Sequence, residues 1–396
     1  MKKRMISVIA NAAWGPLLSG GDNIFIEFCR RWAALGHKVR IFCWEEGRAM
    51  CARQKLTDVE YVIGPAARFK KFGLAALTLA RVVIGGRQAR RADWPADAVV
   101  YSASDFWPDA LPACLVKRRR PHVRWIAGFY LFAPAPWQGD SPYRGRHALR
   151  GFLYWLTQKL SYRLVLRGAD GIFVTSEPDK TRFVSAGRRP QDIFVVRGGV
   201  DTAQADAYLS GDLERPKDAF RYAACFVARL HPQKGALELV DIWQRVARAD
   251  GGARLVVIGD GPLDGELRGR IRRRGLDPLI DVVGFKTGEE KYALFRASRL
   301  VVHPATYDSG GMAAAEAMAW GLPGVGFDLE SLKTYYPKGM LKVPRGDLDA
   351  FAAAVESLLK DEALYARLSR EASSLIREKW LWKDRAEEAL AFMESL

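Results

Sequence analysis

Residues 5–44 read MISVIANAAWGPLLSGGDNIFIEFCRRWAALGHKVRIFCW. A short β-branched run, MISVIANA, leads into a loop at Ser19-Gly20-Gly21. From Asp22 to Leu35 apolar residues recur at helical spacing, with Phe25, Phe28, Cys29 and Trp32 on one face. Gly36 is placed to close that helix in a left-handed turn, and KVRIFCW reads as a second strand. Strand, glycine loop, helix and strand make the repeating unit of an open parallel α/β sheet. Outward from this unit, strands are expected at AVVYSA, HVRWIAG, DGIFVTS and DIFVVRGG, and again at YAACFVARL, LVVIGDGP, DVVGF and LVVHPA.

A chain of 396 residues exceeds what one hydrophobic core usually fills. The strand–helix pattern stops near Gly198-Gly199-Val200-Asp201 and restarts after Phe220. The expected division is a Rossmann-like domain over 1–201, a linker over 202–219 and a second Rossmann-like domain over 220–379. The tail helix is broken at Trp380-Leu381-Trp382, an aromatic cluster suited to packing, and 380–396 is expected to pack back on the first domain. Two doubly wound domains without a full dinucleotide fingerprint suggest a working site in a cleft between them, at the carboxyl ends of strands.

The net charge of +16 is uneven: residues 1–200 hold 33 Lys and Arg against 15 Asp and Glu, while 201–396 hold 28 against 30. A basic first half suits nucleic acid, an anionic membrane face or an acidic substrate, and charge alone does not choose among them. No nucleic-acid reader motif accompanies the charge, so no nucleic-acid partner is expected. Two segments, Arg68 to Arg91 and Arg144 to Arg167, interleave cations with apolar and aromatic residues. They read either as helices at an anionic membrane surface or as helices whose apolar faces pack on the sheet. The apolar run after Lys2-Lys3-Arg4 is too short for a secretory signal, and Arg81 interrupts the best spanning candidate, Phe72 to Gly86. The five cysteines show no metal-like or CxxC spacing. A cytoplasmic protein, able to sit peripherally on the inner face of the plasma membrane, is the expectation. No metal site is expected either, because Asp347 and Asp349 precede an apolar helix and read as capping residues.

Candidate chemistry concentrates at strand ends of the second half. In HPATYDSGGMAAAEAMAWGLP, residues 303–323, Asp308 ends a loop, Gly310 and Gly311 open a helix, and Glu316 lies inside it. Bare glycines at a helix start admit phosphate or sugar oxygens to backbone N–H groups, and two carboxylates could accept bonds from vicinal hydroxyls. The alternative is an N-cap at Asp308 and a solvated Glu316. Arg229 and Lys234, in ARLHPQKG, could grip a diphosphate from two sides or be ordinary loop charge. Gly259-Asp260-Gly261 and Val283-Gly284-Phe285 end two further strands, the latter as a wall for a base, although such turns often only connect. His37 reads as structural, and His303 as a residue at a strand end within reach of a ligand.

In this order, ARLHPQKG, VIGDGP, VVGF and a carboxylate pair eight apart before AMAWGLP resemble the C-terminal domain of retaining glycosyltransferases of family 4. LGHKV, DGIFVTSE and GGVD extend the resemblance over nearly the whole chain. It implies the GT-B fold, α/β with two Rossmann-like doubly wound domains facing across a cleft. It also implies a UDP-, GDP- or ADP-sugar donor, a glycan or lipid-linked acceptor in cell-surface glycan assembly, and no cofactor or metal. By the same resemblance Arg229 and Lys234 hold the donor diphosphate, Asp308 contacts the sugar and Glu316 the ribose. Gly310, Gly311 and Met312 donate backbone bonds, and Gly20 and Gly21 close over the donor. Departures are Asp308 in place of a Glu, Ser309 and Gly310 in place of Gly and Phe, and Ala228 in place of a Gly. In WIAGFYLFAP a family histidine is missing, and Tyr130 is the nearest polar candidate on the acceptor side. A sugar epimerase or sugar-phosphate synthase on this fold, or a basic binding protein with an inactive donor site, stays open beside this reading.

Overall fold

The computed structural model describes residues 3–13, 18–137, 148–211, 220–308 and 310–396. It divides into two compact units, one of Met1–Gly198 with Trp382–Leu396 and one of Gly199–Leu381. Both are doubly wound α/β units with wholly parallel sheets. The stretch expected as a linker contains a helix, Ala203–Leu209, within the second unit, and 212–219 lies outside the described residues.

In chain order the first unit runs β1 (Met5–Ile9), α1 (Gly20–Ala34), β2 (Lys38–Trp44), α2 (Glu45–Arg53), β3 (Glu60–Gly64) and α3 (Gly73–Arg91). It continues with β4 (Val99–Ser102), α4 (Trp107–Arg119), β5 (Arg124–Gly128), α5 (Ala148–Gly168), β6 (Gly171–Val174), α6 (Glu177–Ser185) and β7 (Ile193–Val195). The sheet order is β3-β2-β1-β4-β5-β6-β7. Gly20 and Gly21 are not a loop but the first turn of α1, because Ser19 and Asp22 form a reciprocal capping box that starts the helix two residues earlier.

The second unit follows with α7 (Ala203–Leu209), β8 (Tyr222–Val227), α8 (Ala236–Ala249), β9 (Leu255–Ile258), α9 (Asp264–Arg273), β10 (Ile280–Gly284) and α10 (Gly288–Arg296). Then come β11 (Ser298–His303), α11 (Met312–Met318), β12 (Gly324–Phe327), α12 (Glu330–Tyr335), β13 (Met340–Val343), α13 (Leu348–Lys360) and α14 (Glu362–Lys379). The sheet order is β10-β9-β8-β11-β12-β13. Residues alternate between faces: Ala224 and Phe226 join a core with Leu239, Trp243 and Phe351, while Cys225 and Val227 join one with Met318, Ile376 and Trp380. Covering both faces explains why these strands are near-continuous apolar runs.

Leaving the second unit at Leu381, the chain enters α15 (Trp382–Ser395), which packs on α1 in the first unit. Trp382 meets Phe28 edge-on at 6.2 Å, and the Trp32 indole N–H donates to the Ala386 carbonyl at 3.0 Å. Before that exit Trp380 is fully buried in the second unit, stacked on Tyr336, and its carbonyl accepts from Val200 N–H at 2.6 Å.

In the first unit strand order reverses between β1 and β4, and a buried carboxylate bridges that point. Asp109, in the first turn of α4, accepts from Ala12 N–H at 2.9 Å and from the Ser104 hydroxyl at 2.5 Å. Burial, helped by the Asp22 charge, pushes Asp109 up to about 8, against the pull of those two hydrogen bonds. Nearby Asp105, held by the Gln158 amide at 2.9 Å, is lifted by burial to about 6. Because these folded pKa values lie above the unfolded value of about 3.9, the native state binds extra protons and its stability falls as pH rises towards them. Between pH 6 and 8 the wild type is therefore expected to lose up to about 1.4 kcal/mol per pH unit more than Asp109→Asn, which mimics the neutral acid. Urea unfolding of both across that range checks it; parallel profiles would show that Asp109 is ionised in the native protein.

Candidate functional site

In the second unit strand order reverses between β8 and β11, the place where ligands of open α/β sheets bind. Loops from five adjacent strands, β10, β9, β8, β11 and β12, meet along this carboxyl edge. They carry nearly all the residues expected to act on a donor.

Across the reversal Lys234, after β8, reaches Asp308, after β11: Nζ lies 2.6 Å from Oδ2. His303, the last residue of β11, approaches the same oxygen with Nε2 at 3.0 Å. Oδ1 accepts from Gly310 N–H at 3.3 Å, and the Ser331 hydroxyl donates to the Asp308 carbonyl at 2.6 Å. Burial by itself would raise the Asp308 pKa, but the Lys234 charge and the His303 hydrogen bond outweigh it and hold the carboxyl well below its ordinary range. Asp308 is thus a fixed anion, 9% exposed, and not the N-cap of the next helix; that position is Gly311. His303 is buried at 3% exposure, so its role in the structure is to hold Asp308.

Arg229 differs from Lys234. It is exposed on the loop after β8 and has no hydrogen-bond or ion-pair partner among the described residues. Glu316, inside the seven-residue α11, is paired through Oε2 with Lys291 of α10 at 2.7 Å. Burial pulls the Lys291 pKa down, yet the charge and hydrogen bond of Glu316 leave it raised.

The glycines do more than leave room for a ligand. A Cβ on Gly235, where φ is +68°, would fall 1.9 Å from the Pro304 carbonyl oxygen. One on Gly259 would fall 1.9 Å from the Ala228 oxygen, and one on Gly261 2.5 Å from that of Leu230. The loops are therefore in backbone contact, sewn by Thr306 N–H to the Gln233 carbonyl at 3.0 Å and Leu230 N–H to the Asp260 carbonyl at 2.9 Å. Gly310 faces the Tyr335 ring, where a Cβ would come within 2.7 Å, and Gly311, at φ +62°, passes its carbonyl to the Tyr336 hydroxyl at 2.6 Å. Gly284 has open space around it, followed by Phe285, which is exposed as a wall would be. Met312 begins α11, and Ser309 lies outside the described residues.

Sequence reasoning missed Lys291, Ser331, Tyr335 and Tyr336. Each is an isolated polar or aromatic residue in a helical segment and carries no spacing signal. Asp347 caps α13 by accepting from Ala350 N–H, as expected, and Asp349 pairs with Arg245.

On the first unit Gly21 and Tyr130 meet: a Cβ on Gly21 would lie 3.0 Å from the Tyr130 ring. Tyr130 is buried, its hydroxyl bonded to that of Tyr101, and burial pushes its pKa far up, so it remains a neutral hydroxyl. Asp105, at the end of β4, is a carboxylate on this edge that the sequence did not single out.

Comparison with known proteins places this geometry. The family model described as Glycosyltransferase Family 4 matches residues 18–204, and that described as Glycosyl transferases group 1 matches 214–374. A D-inositol 3-phosphate glycosyltransferase of Thermomonospora curvata is 28% identical over 391 residues, 91% of this chain and 86% of its own length. An alpha-D-kanosaminyltransferase of Streptomyces kanamyceticus is 28% identical over 157 residues, 39% of this chain and 41% of its own. The matches to the first curated relatives span about half of their length, from 41% to 58% in the first three. Among solved structures, Anabaena HepE in complex with UDP and glucose superposes with a TM-score of 0.72 at 15% identity, covering 100% of both chains. Sucrose-phosphate synthase of Thermosynechococcus elongatus gives 0.73 at 19% identity, covering 99% of each. With its first half matching one glycosyltransferase family model, its second half another, and both sheets those of GT-B neighbours, the chain belongs to the family 4, group 1 glycosyltransferases of GT-B fold.

Proposed function

We propose that the chain is a retaining glycosyltransferase, moving a hexosyl-type sugar from a UDP-, GDP- or ADP-sugar to a saccharide or lipid-linked acceptor in cell-surface glycan assembly. One observation carries this reading: Arg229, without a partner among the described residues, stands on the same strand-end loop as Lys234, which is fixed to Asp308 at the sheet reversal. An ammonium has three donors, so Lys234 can hold Asp308 and still donate to a phosphate oxygen. The guanidinium fork of Arg229 is suited to the other side of a diphosphate. HepE, similar in fold, was crystallised with UDP and with UDP-glucose, which supports a nucleotide-sugar donor here.

In this reading the bond between the anomeric carbon and the diphosphate oxygen breaks as the acceptor oxygen bonds to the same face of that carbon. The acceptor proton passes to the departing phosphate. Arg229 and Lys234 neutralise the charge that develops on the diphosphate. Asp308 accepts from sugar hydroxyls, Glu316 from the ribose, and backbone N–H groups at Gly310 to Met312 complete the cradle. With Tyr130 engaged by Tyr101, the acceptor side offers no free base at that position.

Arg229→Ala is expected to lower kcat/KM by about 2 to 4 kcal/mol of barrier, roughly 30- to 900-fold, with an unchanged melting temperature. Lys234→Ala should lose as much activity and also roughly 3 kcal/mol of stability, because it strands the buried Asp308 with His303 alone. Single-turnover kinetics with a panel of nucleotide sugars, alongside thermal melts, test both; wild-type turnover in Arg229→Ala would remove that residue from the donor site. Donor binding without turnover to any acceptor would favour a binding protein instead.

Among the described residues no group of three His, Cys, Asp or Glu side chains could hold a metal ion. Transfer is accordingly expected to survive exhaustive chelation, measured as turnover before and after EDTA. Loss that Mg²⁺ or Mn²⁺ restores would refute this.

A further inference from the structure

The first unit carries two helices with apolar rows on their outward faces. On α5 the buried residues include Gln158 and Ser161, whereas its outward row runs Leu149, Leu153, Leu156 and Leu160, with Leu149 71% exposed. On α3 the inward positions combine Leu77, Ala80 and Ala89 with Arg81, Gly85 and Gly86, and the outward row of Leu79 and Val83 continues from Phe72 in the turn before it, Phe72 and Leu79 each 64% exposed. A helix that only covers a sheet buries its apolar stripe and exposes its polar one. Here the spacing of three and four residues is kept on the outward face as well, so each helix presents an apolar row that covers no core. Of the thirteen exposed large apolar residues among those described, nine fall on these two helices and the short turn before α3. Such concentration marks an interaction surface rather than scattered surface hydrophobics.

The outward rows change character along their length. On α3 the row continues into Arg87 and Arg90, and on α5 into Arg163 and Arg167, all exposed. Between them α4, which packs on both, ends in exposed Arg118 and Arg119. Each of the three helices connects one parallel strand to the next, so each must run against the strands. Their apolar beginnings, with exposed Phe106 opening α4, therefore lie at the sheet's carboxyl edge, and their basic ends lie at the opposite edge.

We propose that the α3–α4–α5 face of the first unit docks on an anionic lipid bilayer. The leucine and phenylalanine rows enter the boundary between headgroups and acyl chains, and the arginines beyond them meet lipid phosphates. Charge complementarity selects this occupant, since residues 1–200 hold more than twice as many cations as anions. Docking in this way brings the carboxyl edge with Asp105 and Tyr130 to the lipid, which fits an acceptor presented from a membrane. That last consequence rests on the transferase reading; the docking itself does not.

The test is co-sedimentation of the full chain with vesicles of zwitterionic lipid alone or mixed with phosphatidylserine, at low and high salt. Binding is expected to the anionic vesicles and to weaken with salt. Leu153→Gln with Leu156→Gln should reduce it at least about tenfold at both salt concentrations, and Arg163→Glu with Arg167→Glu at least about tenfold at low salt. Thermal melts of the variants should match the wild type, since these side chains lie outside the cores, and turnover of donor with a soluble acceptor should persist. Failure of the wild type to sediment with anionic vesicles at low salt would overturn the proposal, as would equal binding by the leucine variant. So would a dimer that the leucine variant alone dissolves, which would give the face to a second copy, or tighter binding to nucleic acid than to vesicles. Loss of turnover in every protein with vesicle binding intact would instead count against the transferase reading.

Discussion

A carboxylate kept ionised where burial should neutralise it is the constraint on which the second unit's ligand edge depends. Asp308 is held by an ammonium on one side and an imidazole on the other, and these come from loops after two different strands. Removing two charges from water is costly, and only a close pair with its other lone pairs satisfied offsets that cost. Here the other carboxylate oxygen accepts from Gly310 N–H. The pair therefore fixes the spacing between the two loops, and the spacing in turn dictates glycine at 235, where the backbone of one loop touches that of the other.

The first unit solves the same topological problem with opposite electrostatics. Its sheet also reverses between the first strand and the fourth, and an aspartate again spans the gap. Asp109 finds a backbone amide and a hydroxyl there, and burial outweighs both, so it is held as a neutral acid. One unit carries its bridge as a charge and the other as a hydrogen-bonded acid.

Much of this was legible in the residues. The two α/β units, the exit near Trp380 and the placement of Lys234 and Asp308 at strand ends follow from strand–glycine–helix grammar and from the rule that ligands meet strand ends. What was not legible has physical reasons. The strands at 60–64 and 340–343 are sheet edges, half exposed and without a long apolar run, and Gly324–Phe327 is half glycine. Glycines 20 and 21 read as a loop because propensity speaks against a helix there, and a capping box overrides it. His303 and Lys291 look like single charges until the fold brings Asp308 and Glu316 to them. The outward leucines of α5 were visible as an amphipathic pattern, but periodicity does not say which face points inward.

Only with Trp382–Leu396 is the first unit complete, although its other elements precede the second unit in the chain. While the chain is still emerging from a ribosome, the surface of α1 that Trp382 and Ala386 will cover stays bare: the edge of Phe28 and the indole N–H of Trp32 wait for residues that follow the whole second unit. The whole second unit must be synthesised, and its sheet threaded, before that patch closes. Vectorial synthesis thus leaves the second unit free to fold as a contiguous piece, while the first is held for completion until Trp382–Leu396 emerges and is the half that a nascent-chain chaperone would find unfinished.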